Sequence, residues 1–135
     1  MAVNQAQDTL FIGTVGEPEI VSVGTGPMRN RVMDEFPGIL AIEAIADDTT
    51  FCAIFDYTTG MIVTIINYFT SPFTPPSWSR LEPIDGDLHY MCAKSDGSHV
   101  YVLSYLGDNV SSLVSYNCTS YLIEDQLDLQ GYPVD

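Results

Sequence analysis

Residues 33–68 lie over residues 81–116 without a gap, at a constant offset of 48 positions. Self-similarity at a fixed period outranks local propensity, because one supersecondary unit used twice dictates the architecture. Gly38 falls on Gly86, Leu40 on Leu88, Asp48 on Asp96, Tyr57 on Tyr105 and Tyr68 on Tyr116. Between these identities the match is chemical: Ile54 with Val102, Phe55 with Leu103, Ile62 with Val110, Thr64 with Ser112, Ile65 with Leu113 and Ile66 with Val114.

Within each copy, short β-branched and aromatic runs alternate with turn residues, which is strand grammar. First strands are expected over 40–46 and 88–94, and second strands over 50–56 and 98–104. The intervening turns carry Asp48 and Asp96, whose side chains bond the local backbone. Third strands are expected over 61–67 and 109–115, and outer fourth strands over 78–82 and 119–124. No stretch keeps a 3.6-residue period, and the prolines within 70–76 forbid a helix there. The expected fold is all-β, built from antiparallel four-stranded meander repeats of β-propeller type.

The N-terminal segment fits the scheme with one strand missing. Residues 9–14, 19–23 and 30–36 read as second, third and fourth strands, with a turn at Gly16-Glu17-Pro18 and no first strand. The chain then divides into a partial blade over 1–36 lacking its inner strand, a blade over 37–84, and a blade with a tail over 85–135. Such a partial ring leaves sheet edges open, and open edges seek partners. The residues expected at those interaction edges are Thr9, Phe11, Ile12, Tyr121 and Ile123.

The run from Lys94 through Ser95-Asp96-Gly97, Tyr101-Val102-Leu103-Ser104-Tyr105 and Gly107 to Val110-Ser111 resembles a blade of the lactonase-type seven-bladed propellers. That family includes 6-phosphogluconolactonase and the carboxy-muconate cyclases. Thr9-Leu10-Phe11-Ile12-Gly13-Thr14 resembles the family's opening strand. The resemblance implies a propeller and hydrolysis of a sugar lactone. A seven-bladed ring at this period takes about 340 residues, and the 135 residues supply a partial blade and two full ones. No residue here matches the family's catalytic His, Arg and Glu, which lie in later blades.

Charge narrows the partners. Eighteen acids face four bases, a formal net charge of -14, and the only cations are Lys94, Arg29, Arg31 and Arg80. Binding to nucleic-acid phosphates or anionic membranes needs clustered bases, so neither is expected. Mimicry of DNA by an acidic surface would rest on charge alone. The first residues lack the basic and apolar regions of a signal peptide. The longest strongly apolar run, 61–66, is far short of a membrane span. Cys52, Cys92 and Cys118 are an odd number without metal-type spacing, which suits free thiols in a reducing compartment.

Motifs for chemistry are sparse. His89 and His99 occupy columns filled by Ala41 and Phe51 in the other copy, as ordinary strand positions do. Asp85 and Asp87 flank Gly86 and are the weak candidates for oxygen ligation of calcium, yet Pro37 and Ile39 stand at the matching positions. Asp34-Glu35 and Glu124-Asp125 fall on outer strands, where charge discourages edge pairing. There is no nucleophile elbow, phosphate loop or Cys-x-x-Cys. A single tryptophan, Trp78, speaks against a sugar-binding propeller with one stacking ring per repeat.

The expected function is therefore a non-catalytic assembly or binding module without cofactor or metal. Its partners are other proteins or copies of itself, in the cytoplasm or within a virion or other large assembly. The alternative is a portion of a lactonase-type hydrolase.

Overall fold

The computed structural model describes residues 1–3, 10–13, 19–23, 29–32, 38–56, 60–67 and 77–134. Thr9, Asp34, Glu35, Tyr57, Tyr68, the turn at 16–18 and the proline loop lie outside the described residues. The described residues hold no helix. Their strands are β1 (Ala2–Val3), β2 (Leu10–Gly13), β3 (Glu19–Val23), β4 (Arg29–Val32), β5 (Ile39–Ala46), β6 (Thr49–Asp56), β7 (Gly60–Asn67), β8 (Ser77–Arg80), β9 (Asp87–Ala93), β10 (His99–Gly107), β11 (Val110–Asn117) and β12 (Leu122–Gln130).

These strands make three four-stranded sheets in chain order, β1 to β4, β5 to β8 and β9 to β12. Every pairing is antiparallel. The three sheets fall within 1–36, 37–84 and 85–135. One expectation needs correction: the first-strand position of the N-terminal sheet is filled. Ala2 pairs with Phe11 and Val3 with Leu10, so the chain's own start supplies that strand. The segment is only two residues long, too short for a periodicity to reveal it.

The outer strand of the third sheet is also displaced from 119–124 to Leu122–Gln130. Residues 118–121 turn instead, because the Asn117 side-chain oxygen accepts the backbone N–H groups of Thr119 and Ser120 at 2.8 and 3.0 Å. Tyr121 completes the turn with φ +63°.

In the β6–β7 and β10–β11 hairpins the repeat preserves which face each residue occupies but not the cross-strand pairing; in β5 and β9 the faces exchange, since Ile42 packs in the first core while its counterpart Tyr90 lies opposite Leu103 on the other face. In the second sheet Ile54 pairs with Ile62, whereas in the third Val102 pairs with Val114. The β10–β11 hairpin runs further before turning on Asp108 and Asn109, both with positive φ (49° and 62°), as a two-residue type I′ turn requires. The pairing moves by an even number of residues. With a side-chain period of two, the side chains of these hairpins keep their faces.

Each of the later sheets has a leading face toward the sheet before it and a trailing face opposite. Phe11 and Ala2 of the first sheet pack with Ile39, Ile42, Cys52, Ile54 and Ile66. Phe51, Ala53, Val63 and Ile65 on the opposite face of the second sheet pack with Met91, Val100, Val102, Val114 and Tyr116 of the third. Leu81 and Ile84, from the connection between the sheets, seal this second core. Each fully buried side chain of this size contributes about 1.5–3 kcal/mol. The sheets meet through β5, which lies against β9 on one side and β1 and β2 on the other.

Candidate functional site

The trailing face of the second sheet is fully covered: Phe51, Ala53, Val63 and Ile65 have no exposed surface. Forty-eight positions on stand His99, Tyr101, Ser111 and Leu113, on the trailing face of the third sheet. No fourth sheet covers them among the described residues. Tyr90, Tyr101, Leu127 and Leu129 on that face are 57%, 37%, 55% and 40% exposed. Cross-strand pairing groups them, since Leu103 lies opposite Leu113 and Tyr90, and Leu113 lies opposite Leu127. A shallow, largely apolar groove of about 140 Å³ runs between Tyr101, Leu113 and Leu127. Large apolar side chains gathered on one strand face without cover mark an interaction surface.

The expected edge residues are not the ones exposed there. Phe11 is buried in the first core, since β1 covers its strand on the edge side. Ile123 packs toward the second core, and Tyr121 stands exposed in the turn before β12. Ile12 is half-buried. Among the described residues a sheet face lies open as well as the edge strand β12. Pairwise edge logic could not find the face, but applying the repeat to burial does.

A polar network borders this face. The His99 Nε2 meets Glu124 Oε2 at 2.6 Å, and its Nδ1 meets Ser98 Oγ at 2.7 Å. Glu124 reaches them because it is the residue skipped where the β11–β12 register shifts between Ser115 and Tyr116. Such a bulge re-aims a side chain. Asn117 donates to the other carboxylate oxygen at 3.1 Å. Hydrogen bonds from Asn117 and then His99 hold the Glu124 carboxyl below its ordinary range.

The order serine, histidine, glutamate is not that of an activated nucleophile. Ser98 Oγ donates to Asp96 Oδ1 at 2.6 Å, so its proton is committed to a carboxylate rather than to the imidazole. Both imidazole nitrogens then face oxygens. Ser98 hydrogen bonds, with Lys94 beside them, hold Asp96 well below the usual carboxylate range. The whole cluster closes the turn between β9 and β10. His89 is the residue skipped in the β9–β10 register, with its ring edge-on to Tyr132 at 5.7 Å.

A second feature lies on the leading side of the third sheet. Ser104 is buried, its hydroxyl without a hydrogen-bond partner among the described residues. It lines a cleft of about 220 Å³ with Ser112 and Gln126, under the connection carrying Glu82 and Asp85. In the second sheet the residue matching Ser112, Thr64, donates to the Ser79 carbonyl at 2.9 Å.

Asp85 and Asp87 are both exposed on either side of Gly86. No group of three His, Cys, Asp or Glu side chains placed to hold a metal occurs among the described residues. Burial pushes the Cys52 thiol up to about 12 and the Cys118 thiol up to about 11. Neither is a nucleophile at neutral pH.

No family model, curated protein or solved structure matches the chain. No helix among the described residues is long and apolar enough to cross a membrane.

Proposed function

We propose that the chain is a non-catalytic assembly module of β-propeller type, whose third sheet is completed by a sheet from another chain stacking on its trailing face. One observation carries this reading. In their second and third strands, the covered face of the second sheet and the face of the third left uncovered among the described residues are the same face of the same repeat. The apolar centre at Tyr101, Leu113 and Leu127, bordered by the His99–Glu124 pair, has the anatomy of an interface core with a polar rim. The three sheets in chain order, touching through β5, fit the radial stacking of blades.

Hydroxyl-radical footprinting inside expressing cells, compared with the purified chain at high dilution, tests the reading. Protection of Tyr90, Tyr101 and Leu127 in the cell is the expected outcome. Full reactivity of all three in the cell overturns it.

A further inference from the structure

The free trailing face has a counterpart at the other end of the stack. In β2, Phe11 faces the second sheet and is buried, so by alternation Leu10 and Ile12 face away from it. Val3, opposite Leu10, shares that outward face and is 54% exposed. Second strands present the same kind of apolar pair on their leading faces throughout: Leu10 and Ile12, then Cys52 and Ile54, then Val100 and Val102. The latter two pairs are each covered by the trailing face of the preceding sheet. The first pair has no preceding sheet among the described residues.

We infer that the occupant of the third sheet's trailing face is the first sheet of a second copy of this chain, and that two copies joined head to tail close a six-sheet ring. The inference rests on the assembly reading above and names its partner. Continuity with an existing interface supports it, since the new contact repeats the one already made between consecutive sheets. The number two follows from closure. Head-to-tail contacts either close into a ring or run on as a filament. Rings of this kind hold four to eight blades, and chains whose described residues make three sheets each reach that range only as a pair. With a net charge of -14 on each copy, mutual repulsion opposes the apolar contact, so added salt tightens the pair.

Sedimentation velocity on the purified chain tests this. The expected species has twice the 14.8 kDa chain mass and strengthens between low and moderate salt. Leu127→Glu removes the trailing face and Ile12→Glu the leading face. Each variant alone is expected to associate about 30-fold more weakly or worse. Mixed one to one they form a heterodimer through one intact interface, weaker than the wild-type pair because the second interface then carries both glutamates. Val3→Glu, at a more exposed position, repeats the Ile12 test should that variant fail to fold.

A wild-type chain that stays monomeric at about 100 μM, far above the Kd of ordinary interfaces, overturns the second copy as partner. Protection in cells would then still stand for the assembly reading. A dimer that survives both Ile12→Glu and Val3→Glu means trailing face on trailing face, and open polymers mean no closure. Either overturns the ring.

Discussion

Phe51 and Tyr116 meet across the gap between the second and third sheets, their ring centroids 5.4 Å apart and tilted by 56°. Both are completely buried, and the Tyr116 hydroxyl donates to the Glu82 carbonyl at 2.8 Å, tying the connection between the sheets to the core it closes. One residue comes from each copy of the repeat, so this contact holds the units together rather than either unit alone.

Phe51→Ala is expected to cost about 3–5 kcal/mol, through lost burial and the cavity left in a two-sided core. Tyr116→Phe keeps the ring contact and removes only the hydrogen bond to Glu82, for about 0.5–1.5 kcal/mol. Urea denaturation of both variants measures the difference. Equal losses would mean that the hydroxyl, and not the ring, anchors the sheets.

Gly86 adopts φ +87°, and a Cβ built there would lie 2.4 Å from the Tyr105 carbonyl oxygen. Gly86→Ala therefore strains a backbone conformation that glycine alone adopts freely and drives a methyl into a neighbouring strand. A loss of about 2 kcal/mol or more is expected, read as a drop in Tm. Gly107 has open space around its own Cβ position, so Gly107→Ala carries only the strain of its φ of +94° and should cost less.

Two glutamates should pull stability in opposite directions with pH. Burial between the sheets raises the Glu43 carboxyl above 4.5, although the Ala93 backbone N–H it accepts partly offsets this. Its contribution is fully present below pH 4.5 and lost as pH rises through the folded value. Glu43→Gln should therefore stabilise the chain at pH 7 and have no effect at pH 4. Glu124 is held below 4.5 by Asn117 and His99, so its contribution is present above pH 4.5 and lost as pH falls through the folded value. Glu124→Gln should accordingly destabilise at pH 7 and lose its effect in acid. Thermal melts of Glu43→Gln at pH 7 and 4, and of Glu124→Gln at pH 7 and at a pH below the folded value of its carboxyl, check the signs.

Cys52 is completely buried on the leading face of the second sheet, while Cys92 and Cys118 are partly exposed. Iodoacetamide should label Cys92 first, Cys118 more slowly and Cys52 only once the chain unfolds. Peptide mapping after timed labelling gives the order, and early labelling of Cys52 would contradict the packing between the first and second sheets.

Much of this fold is written along the chain. The alternation in Val100, Tyr101, Val102 and Leu103, and the turn residues at Asp48 and Asp96, place strands and turns because a strand's side chains point to opposite faces with period two. The 48-residue offset marks two equivalent sheets, and in the β6–β7 and β10–β11 hairpins the faces survive a change in pairing, since the register moves by an even number of residues; in β5 and β9 they exchange, because the skipped residues Leu40 and His89 stand at different places in the two strands. Local grammar does not extend to a two-residue strand such as Ala2–Val3. Nor does it locate β12, where the Asn117 side chain captures the backbone that continued the strand pattern.

Burial between sheets was decided only in three dimensions. Phe11 looks like an edge residue along the chain and is a core residue once β1 covers its strand. His99 occupies the column of Phe51, yet the bulge at Glu124 makes it a polar anchor at the border of an open face. Sequence pattern determines which way each side chain points from its own strand. What stands opposite it depends on how the sheets stack, and among the described residues that stacking leaves one apolar face covered in the second unit and open in the third.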